Sequence, residues 1–443
     1  MMKILFISLG CDKNLVDSEK MLGLLDQAGY GITDDETEAD IIVINTCSFI
    51  HDAKEESIQS ILEMAEYRKS GSCKALIVTG CLAQRYQKEI MDEIEEVDAV
   101  LGSTCADQIV EAIRRVLGGE QHCLTVDDIN RPYLEGGRRL LTTGGHYAYL
   151  KIAEGCGKHC TYCIIPKLRG RYRSVPMETL VAEAEELARD GVKELILVAQ
   201  ETTLYGVDLY GEKSLHRLIE KLCRIQGLRW IRVLYCYPEE IYDELIRTMK
   251  REPKVCHYLD LPIQHANNEI LKRMGRRTTK EDLVKIIEKL REEIPDIVLR
   301  TTLITGFPGE TQAQHEELME FVDEMEFQRL GVFTYSAEEG TPAAAMEGQI
   351  PEEVKKQRQA ELMELQQEVA FDLAEQQVGN CVTAMVEGQI SGENAYVART
   401  YGDAPGVDGY LFIHTDEVMM TGDFARVRIT GACEYDLIGE LEK

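Results

Sequence analysis

The sequence predicts an α/β protein in three parts: an N-terminal doubly wound parallel sheet, a central partial (β/α)6 barrel, and a small antiparallel β barrel of the OB type at the C-terminal end. Three observations predict it. Residues 1–118 alternate apolar, β-branched runs with helical segments. A second series, of six strand–helix units, follows a glycine-rich stretch and is too short for a complete eight-stranded barrel. From Asn380 onward, five short β runs recur between glycine turns. The expected limits are 1–118 for the first domain, 119–146 for a linker, 147–372 for the core and 375–443 for the last barrel.

In chain order, "KILFIS" (3–8), "DIIVINT" (40–46) and "KALIVTG" (74–80) are runs of the buried-strand type. Between the first two, "VDSEKMLGLLDQAG" reads as a helix. Asp17 or Ser18 can cap it, Met21, Leu22, Leu25 and Ala28 make one apolar face, and Gly29 ends it. "LEGGRRLLTTGGH" has little periodicity and reads as the linker. The central strands are "YAYLKIA", "ELILVAQ", "WIRVLYCY", "HYLDLPI", "IVLRTTLITG" and "RLGVFTY". All but the last clearly precede a helix-type segment such as "SLHRLIEKLCRI". "SAEEGTPAAAMEGQIP" (336–351) is a second linker, and "EEVKKQRQAELMELQQEVAFDLAEQQ" a long amphipathic helix stopped by Gly379. The last strands are "CVTAMVEG", "AYVART", "GYLFIHT", "DFARVRIT" and "YDLIGELE".

The 443 residues are 44% hydrophobic and 29% charged, ordinary for a soluble protein with sizeable cores. No apolar run approaches the roughly 18 residues of a membrane span. The start "MMKILFISLGCDKN" has no small-residue cleavage site, so a cytoplasmic protein without membrane contact is expected. In that reducing compartment the 14 cysteines are not expected to form disulfides. The formal net charge of −29 repels nucleic-acid phosphates unless a basic patch is concentrated locally, and it attracts a basic partner. An acidic surface that merely keeps the protein in solution accounts for the same charge.

Spacing picks out two cysteine sets. In "EGCGKHCTYCIIP", Cys156, Cys160 and Cys163 form CxxxCxxC just after the first central strand. Close thiolates in one loop suit an iron–sulfur cluster. Zinc is the rival, but a structural zinc site takes four ligands and the fourth is missing nearby. Three thiolates on a four-iron cluster leave one iron open to a chelating substrate. In the first domain, Cys11, Cys47 and Cys81 each follow a strand. The carboxyl ends of neighbouring strands converge in an open parallel sheet, so these three can meet despite gaps of 36 and 34 positions. Cys105 follows a fourth short run and is read as a bystander, with a supplementary ligand as its alternative.

CxxxCxxC at the end of the first strand of a partial barrel, with the aromatic Tyr162 before the third cysteine, resembles the radical S-adenosylmethionine (SAM) superfamily. The resemblance implies that the open iron binds the amino and carboxylate groups of SAM. Electron transfer then cleaves SAM to methionine and a 5′-deoxyadenosyl radical. Other positions match more weakly. Gln200 and Glu201, in "LVAQETTLYG", stand at the mouth of the barrel. "LITGFPGET" resembles a SAM contact, with Gly306 and Glu310, although a glycine–proline turn is also ordinary. "LPIQHA" sets Gln264 and His265 at another strand end, where a lone histidine is more often structural.

With "SLGC", "NTC" and "TGC" in its first domain, the whole chain resembles the methylthiotransferases. This implies two [4Fe-4S] clusters: a sulfur-carrying auxiliary one on Cys11, Cys47 and Cys81, and a SAM-cleaving one on Cys156, Cys160 and Cys163. One SAM methylates the sulfur and a second yields the radical, with an electron donor such as flavodoxin or ferredoxin. The last barrel resembles the TRAM domain, which in this family helps hold the substrate. One branch of the family modifies adenosine in tRNA; the other, the RimO branch, modifies the β-carbon of an aspartate in small-subunit ribosomal protein uS12. "SLGCDKNLVDSE" resembles the second, because Asp12 and Lys13 stand where the RNA branch typically has Gln and Met. Charge is an independent test. Residues 375–443 hold four Arg and Lys against twelve Asp and Glu, which suits a basic ribosomal protein better than RNA. A non-catalytic iron–sulfur carrier would also use both triads, but has no need of the barrel or the appended domain.

Overall fold

The computed structural model describes residues 1–71, 73–132 and 137–442. Residues 133–136 of the expected linker lie outside the described residues. Six parallel strands form the first sheet, in the order Gly31–Thr33, Lys3–Ser8, Ile41–Thr46, Ala75–Gly80, Ala99–Leu101, Cys123–Thr125. Successive residues of its middle strands face opposite sides. Ile42, Ile44, Leu76 and Val78 pack on one face, and Ile41, Val43, Ala75 and Ile77 on the other. Helices cover both faces, which is why these runs are continuously apolar rather than alternating. The outer strands have three residues each, too few to show a period. One of them, Cys123–Thr125, lies within the stretch read as linker.

The first helix departs from its sequence reading. It spans Asp12–Gln27 and begins at Cys11, with no side-chain capping bond, so Asp17 and Ser18 stand inside it rather than at its start. Its first half is buried although polar: Lys13, Asn14, Asp17, Ser18, Glu19 and Lys20 all lie inside the protein. Each acid there has a partner from elsewhere in the chain. Asp17 pairs with Lys151 and Arg169, and Glu19 with Arg139. Tertiary ion pairing, not apolar burial, holds this end.

The central sheet is open and wholly parallel, with its six strands in chain order: Tyr147–Lys151, Glu194–Val198, Trp230–Val233, Val255–Asp260, Val298–Thr305 and Arg329–Thr334. These are the six expected. One face, with Leu150, Leu195, Ile231, Leu259 and Leu299, packs on helices. The other carries Tyr149, Ile196, Trp230 and Tyr258, and it receives Val16 from the first helix and Met385, Ala404 and Phe424 from the C-terminal barrel. The barrel thus plugs the inner face of the open sheet. A buried charge lock seals this contact: Glu194 accepts from Arg232 at 2.7 Å and from Arg399 at 2.8 Å.

The stretch 336–351 is not a free linker. Glu338 accepts from Lys54 and Arg85 at 2.8 Å each, tying the end of the last central strand to the first domain. The long helix Glu352–Glu375 buries Lys355, Arg358, Leu362, Gln366 and Ala370, a stripe at helical spacing. The C-terminal strands Cys381–Gln389, Ala395–Thr400, Leu411–His414, Phe424–Cys433 and Asp436–Leu441 close into a barrel in the order 1-2-3-5-4. It is not purely antiparallel, because Leu411–His414 and Asp436–Leu441 run parallel. No helix among the described residues is long and apolar enough to cross a membrane.

Candidate active site

Lys3–Ser8, Ile41–Thr46 and Ala75–Gly80 are neighbours in the first sheet, and their register pairs Ser8 with Asn45 and Thr46 with Gly80. Their carboxyl ends are therefore level, and Cys11, Cys47 and Cys81 follow them at one edge. Polar side chains lock the three loops. Asn14 donates to the carbonyls of Leu9 and Thr46 at 3.0 Å each, and Asn45 donates to the Asn14 carbonyl at 2.9 Å. Gly80 has φ +93°, and a Cβ there would meet Asn45 Oδ1 and the backbone of Thr46. Burial pushes the Cys47 thiol up to about 12, and the nearby Cys81 and Cys11 add to it. Burial raises Cys81 as well, against the pull of Arg169, whose Nε lies 3.3 Å from its sulfur. Cys11 is exposed. The two buried thiols stay protonated and inert by themselves, and a metal cation reverses that. Cys105 lies apart, in the apolar core with Ile109 and Ala112.

The second triad sits in the loop after Ala153–Glu154. Cys156 and Cys160 are buried and Cys163 is half-buried. Burial pushes Cys156 up to about 11 and Cys163 to about 12, and in each case Cys160 adds to the effect. The Lys158 N–H reaches Cys156 Sγ at 3.4 Å, and Tyr237 Oη lies 3.7 Å from Cys160 Sγ. Tyr162 packs beside Ile270, Met274 and Phe307. Among the described residues no three His, Cys, Asp or Glu side chains converge on a single-ion site. One zinc ion would need its sulfurs within about 4 Å of one another. Three thiolates with no fourth ligand suit a four-iron cluster, in which each thiolate binds its own iron, better than a closed four-ligand zinc site.

Gln200 and Glu201 stand at the end of the second central strand. Glu201 Oε1 accepts from the N–H and hydroxyl of Thr203, while its Oε2 is buried without a partner among the described residues. Burial pushes this carboxyl up to about 7. Gln200 donates to Glu154 at 3.2 Å, and its Oε1 is likewise buried without a partner, as is the hydroxyl of Tyr172. Buried polar atoms left unpaired call for a ligand or water, and a polar, zwitterionic ligand such as SAM would satisfy them.

The other expected positions also make contacts within the fold. Glu310 accepts from the Phe307 N–H at 3.1 Å and from Arg358 at 2.9 Å. Gly306, at φ +71°, faces Lys355, and a Cβ would collide with that side chain. Both therefore seat the long helix. His265 Nδ1 accepts from the N–H groups of Ala266 and Asn267 at 3.0 and 2.9 Å, and burial lowers its pKa to about 3, so it is a neutral turn cap. Gln264, at φ +73°, joins the sheet through a bridge to Leu303.

Sequence reasoning missed the residues that join the two triads. Arg169 is buried between Asp17, Asn14, Glu154 and Cys81. Lys151 bonds Asp17 and Glu154 in the same network. Burial raises the Glu154 carboxyl, but Lys151 and Arg169 outweigh it and hold the group at about 2. The loop after Trp230–Val233 carries two tyrosines. Tyr235, at φ +60°, donates to Asp12 at 3.0 Å beside Cys11, and Tyr237 reaches Cys160. A positive φ is rare for a bulky residue and marks a site worth reading for function. The dihedral cannot be seen in the sequence, and the partners of Arg169 lie up to 155 positions away. The only signal on hand was the pair of tyrosines in "LYCY" at a strand end.

Three family models match the chain: uncharacterized protein family UPF0004 over residues 3–102, the radical SAM superfamily over 150–322, and the TRAM domain over 378–441. A curated relative from Lachnoclostridium phytofermentans, "Ribosomal protein uS12 methylthiotransferase RimO", is 64% identical over 441 residues, covering 100% of each chain. One of the same name from Pelotomaculum thermopropionicum is 52% identical over 99% of each. Among solved structures, the radical SAM methyltransferase TsrM from Kitasatospora setae aligns with a TM-score of 0.55 at 14% identity, over 92% of this chain and 80% of that one. The cobalamin-dependent enzyme OxsB aligns at 0.53 and 14%, over 82% and 56%. At such identities these likenesses concern the fold alone. The full-length match to the curated relatives, on a fold with two cysteine triads at facing strand ends, makes this chain a member of the RimO family of radical SAM methylthiotransferases.

Proposed function

We propose that this protein adds a methylthio group to the β-carbon of an aspartate in ribosomal protein uS12. In this reading Cys11, Cys47 and Cys81 hold the auxiliary [4Fe-4S] cluster, and Cys156, Cys160 and Cys163 hold the SAM-cleaving one. When bound, the clusters supply an electron for SAM cleavage and a sulfur for transfer. Gln200 and Glu201 bind SAM through the atoms they leave unpaired, with Tyr162 packed beside the cluster loop. The working units are the first domain, whose sheet takes in Cys123–Thr125, the core 147–372 and the barrel 375–443. Electrons come from a small carrier such as flavodoxin or ferredoxin, in the cytoplasm.

The observation that carries this reading is the loop 234–237, whose Tyr235 bonds Asp12, the residue after Cys11, and whose Tyr237 lies 3.7 Å from the Cys160 sulfur. A substrate carbon held beside this loop would meet both radical generation and sulfur delivery. Charge on the C-terminal barrel supports a basic protein substrate. Glu393, Glu417, Glu434, Glu440 and Glu442 are exposed, whereas Arg399 is buried on Glu194. The exposed cations on its described residues are Arg426 and Arg428, and both lie near Glu442. A groove for RNA needs the opposite charge.

The test is an anaerobic assay of the reconstituted, reduced protein with SAM, given uS12 and unmodified tRNA in separate tubes and read by mass spectrometry. A methylthio group on an aspartate of uS12, and none on tRNA, is the expected result. Methylthioadenosine in tRNA overturns the choice of substrate. Failure to form any 5′-deoxyadenosine makes the protein a carrier rather than an enzyme.

A further inference from the structure

Lys13 is the buried cation nearest in sequence to Cys11, and the chemistry described so far leaves it without a task. Its side chain is 6% exposed. Its ammonium lies 3.2 Å from the centroid of the Tyr235 ring, and among the described residues no carboxylate comes within ion-pair distance of it. The neighbouring acid, Asp12, is engaged by the Tyr235 hydroxyl. Buried lysines are nearly always paired, and those around this one follow the rule: Lys20 pairs with Glu183, Lys151 with Asp17 and Glu154, and Lys158 with Glu239 and Glu240.

Three features place that ammonium where an anion would be held. It covers the ring of Tyr235, on the same loop whose Tyr237 reaches Cys160, so it lies in the space between the triads. It belongs to the first turn of the helix Asp12–Gln27, which starts at Cys11 without a side-chain cap. The first-turn N–H groups and the helix dipole therefore favour negative charge at the same end. The strained backbone of Tyr235 fixes the ring against which the lysine rests.

We propose that Lys13 binds the side-chain carboxylate of the substrate aspartate and so sets its β-carbon between the two triads. The assignment rests on the aspartate reading under Proposed function and deepens it. The reacting carbon of an aspartate is one bond from its carboxylate. A single charge-assisted hydrogen bond on the carboxylate therefore restricts where that carbon can sit. An amide in place of the carboxylate can accept a hydrogen bond but brings no counter-charge to the buried ammonium, which the site penalises. Lys13 makes and breaks no bond; it is a substrate-binding residue that confers specificity.

The test compares two peptides that span the target loop of uS12, one with the aspartate and one with asparagine in its place. The reconstituted holoenzyme, its Lys13→Met variant and its Lys13→Arg variant are each measured for peptide binding and for methylthio transfer. Wild type is expected to prefer the aspartate peptide by about tenfold or more. Lys13→Met should raise KM for the aspartate peptide by about tenfold to a hundredfold and reduce the preference to near one. Iron analysis of each variant separates a lost contact from a lost cluster. Lys13→Arg, which keeps the charge, should retain most of the preference. A Lys13→Met enzyme that still prefers aspartate overturns the assignment. So does a wild-type enzyme that binds both peptides alike, a result that needs no variant to fold. Wild type that cleaves SAM yet modifies neither uS12 nor the aspartate peptide overturns the functional reading itself, a distinct outcome.

Discussion

Arg169 shows how much one side chain carries here. Its guanidinium is wholly inside the protein, with Asp17 at 2.7 Å, Cys81 Sγ at 3.3 Å and the amide oxygen of Asn14 on separate nitrogens. Arginine suits this place because its rigid fork serves three acceptors at once, which a lysine ammonium on a flexible stem does not. Arg169→Met takes one of the cations away from two buried carboxylates, Asp17 and Glu154, that Lys151 also bonds. We expect a loss of about 3–5 kcal/mol in the stability of the first domain. Urea denaturation followed by a first-domain probe would measure it. Arg169→Lys should recover part of that stability while losing the bond to the Cys81 sulfur. An unchanged midpoint for Arg169→Met would mean that the network is solvated rather than closed.

At the scale of elements, the strand ends decide where chemistry sits. Ile41–Thr46 and Ala75–Gly80 run level to their last residues, so the turn at Gly80 must bring Cys81 back across the Asn45–Thr46 backbone. Only glycine adopts φ +93° at that spot without collision. Gly80→Ala should therefore displace Cys81 while sparing the loop that holds Cys156, Cys160 and Cys163. The expected result is a reconstituted protein with about half its iron and with SAM cleavage retained. Iron analysis together with 5′-deoxyadenosine formation checks it; full iron content would show that the turn tolerates a side chain. The first helix makes a related point. Its start is set by Cys11 and its buried ion pairs, and no local capping residue marks it.

At the scale of the molecule, the C-terminal barrel is part of the core and not an outlying module. Met385, Ala404 and Phe424 fill the open sheet, and Glu194 ties the two together through Arg232 and Arg399. Burial would raise the Glu194 carboxyl, but the two guanidinium groups outweigh it and hold the group below its usual value of 4.5. A carboxylate so lowered contributes stability above its unfolded value, and that contribution is lost as pH falls through the folded one. Acid should therefore loosen the barrel from the core below about pH 4.5. Hydrogen exchange in 381–441 should rise there in wild type. Glu194→Gln should show the faster exchange already at neutral pH, because it removes the carboxylate that the two buried guanidinium groups share. Equal exchange in the two proteins at neutral pH would show that apolar packing alone holds the contact.

The outer face of that barrel carries a different prediction. Reversing Glu393, Glu417 and Glu434 to lysine should raise KM for uS12 about tenfold at low salt with kcat unchanged, and the difference should shrink as salt is added. Initial rates across a salt series measure it. A KM that does not move would remove charge from the account of substrate choice.

Much of this was legible in the chain. The six central strands, the middle of the first sheet and the five C-terminal runs declare themselves, because burial on one or both faces forces apolar residues into continuous or alternating order. The cysteine triads are equally plain, since ligands in one loop, or at successive strand ends, recur at readable intervals. Short edge strands such as Gly31–Thr33 stayed hidden, having too few residues to show a period. So did the parallel pairing of Leu411–His414 with Asp436–Leu441, which depends on how the barrel closes. The sequence by itself determined the architecture, the two cysteine triads and the family. Only the tertiary structure decided that Gly306 and Glu310 serve the long helix, that Lys13 and Tyr235 meet between the triads, and that Arg169 joins Asp17 to Cys81. Those contacts are made by buried polar groups whose partners lie far apart in the chain, and no local periodicity records such a pairing.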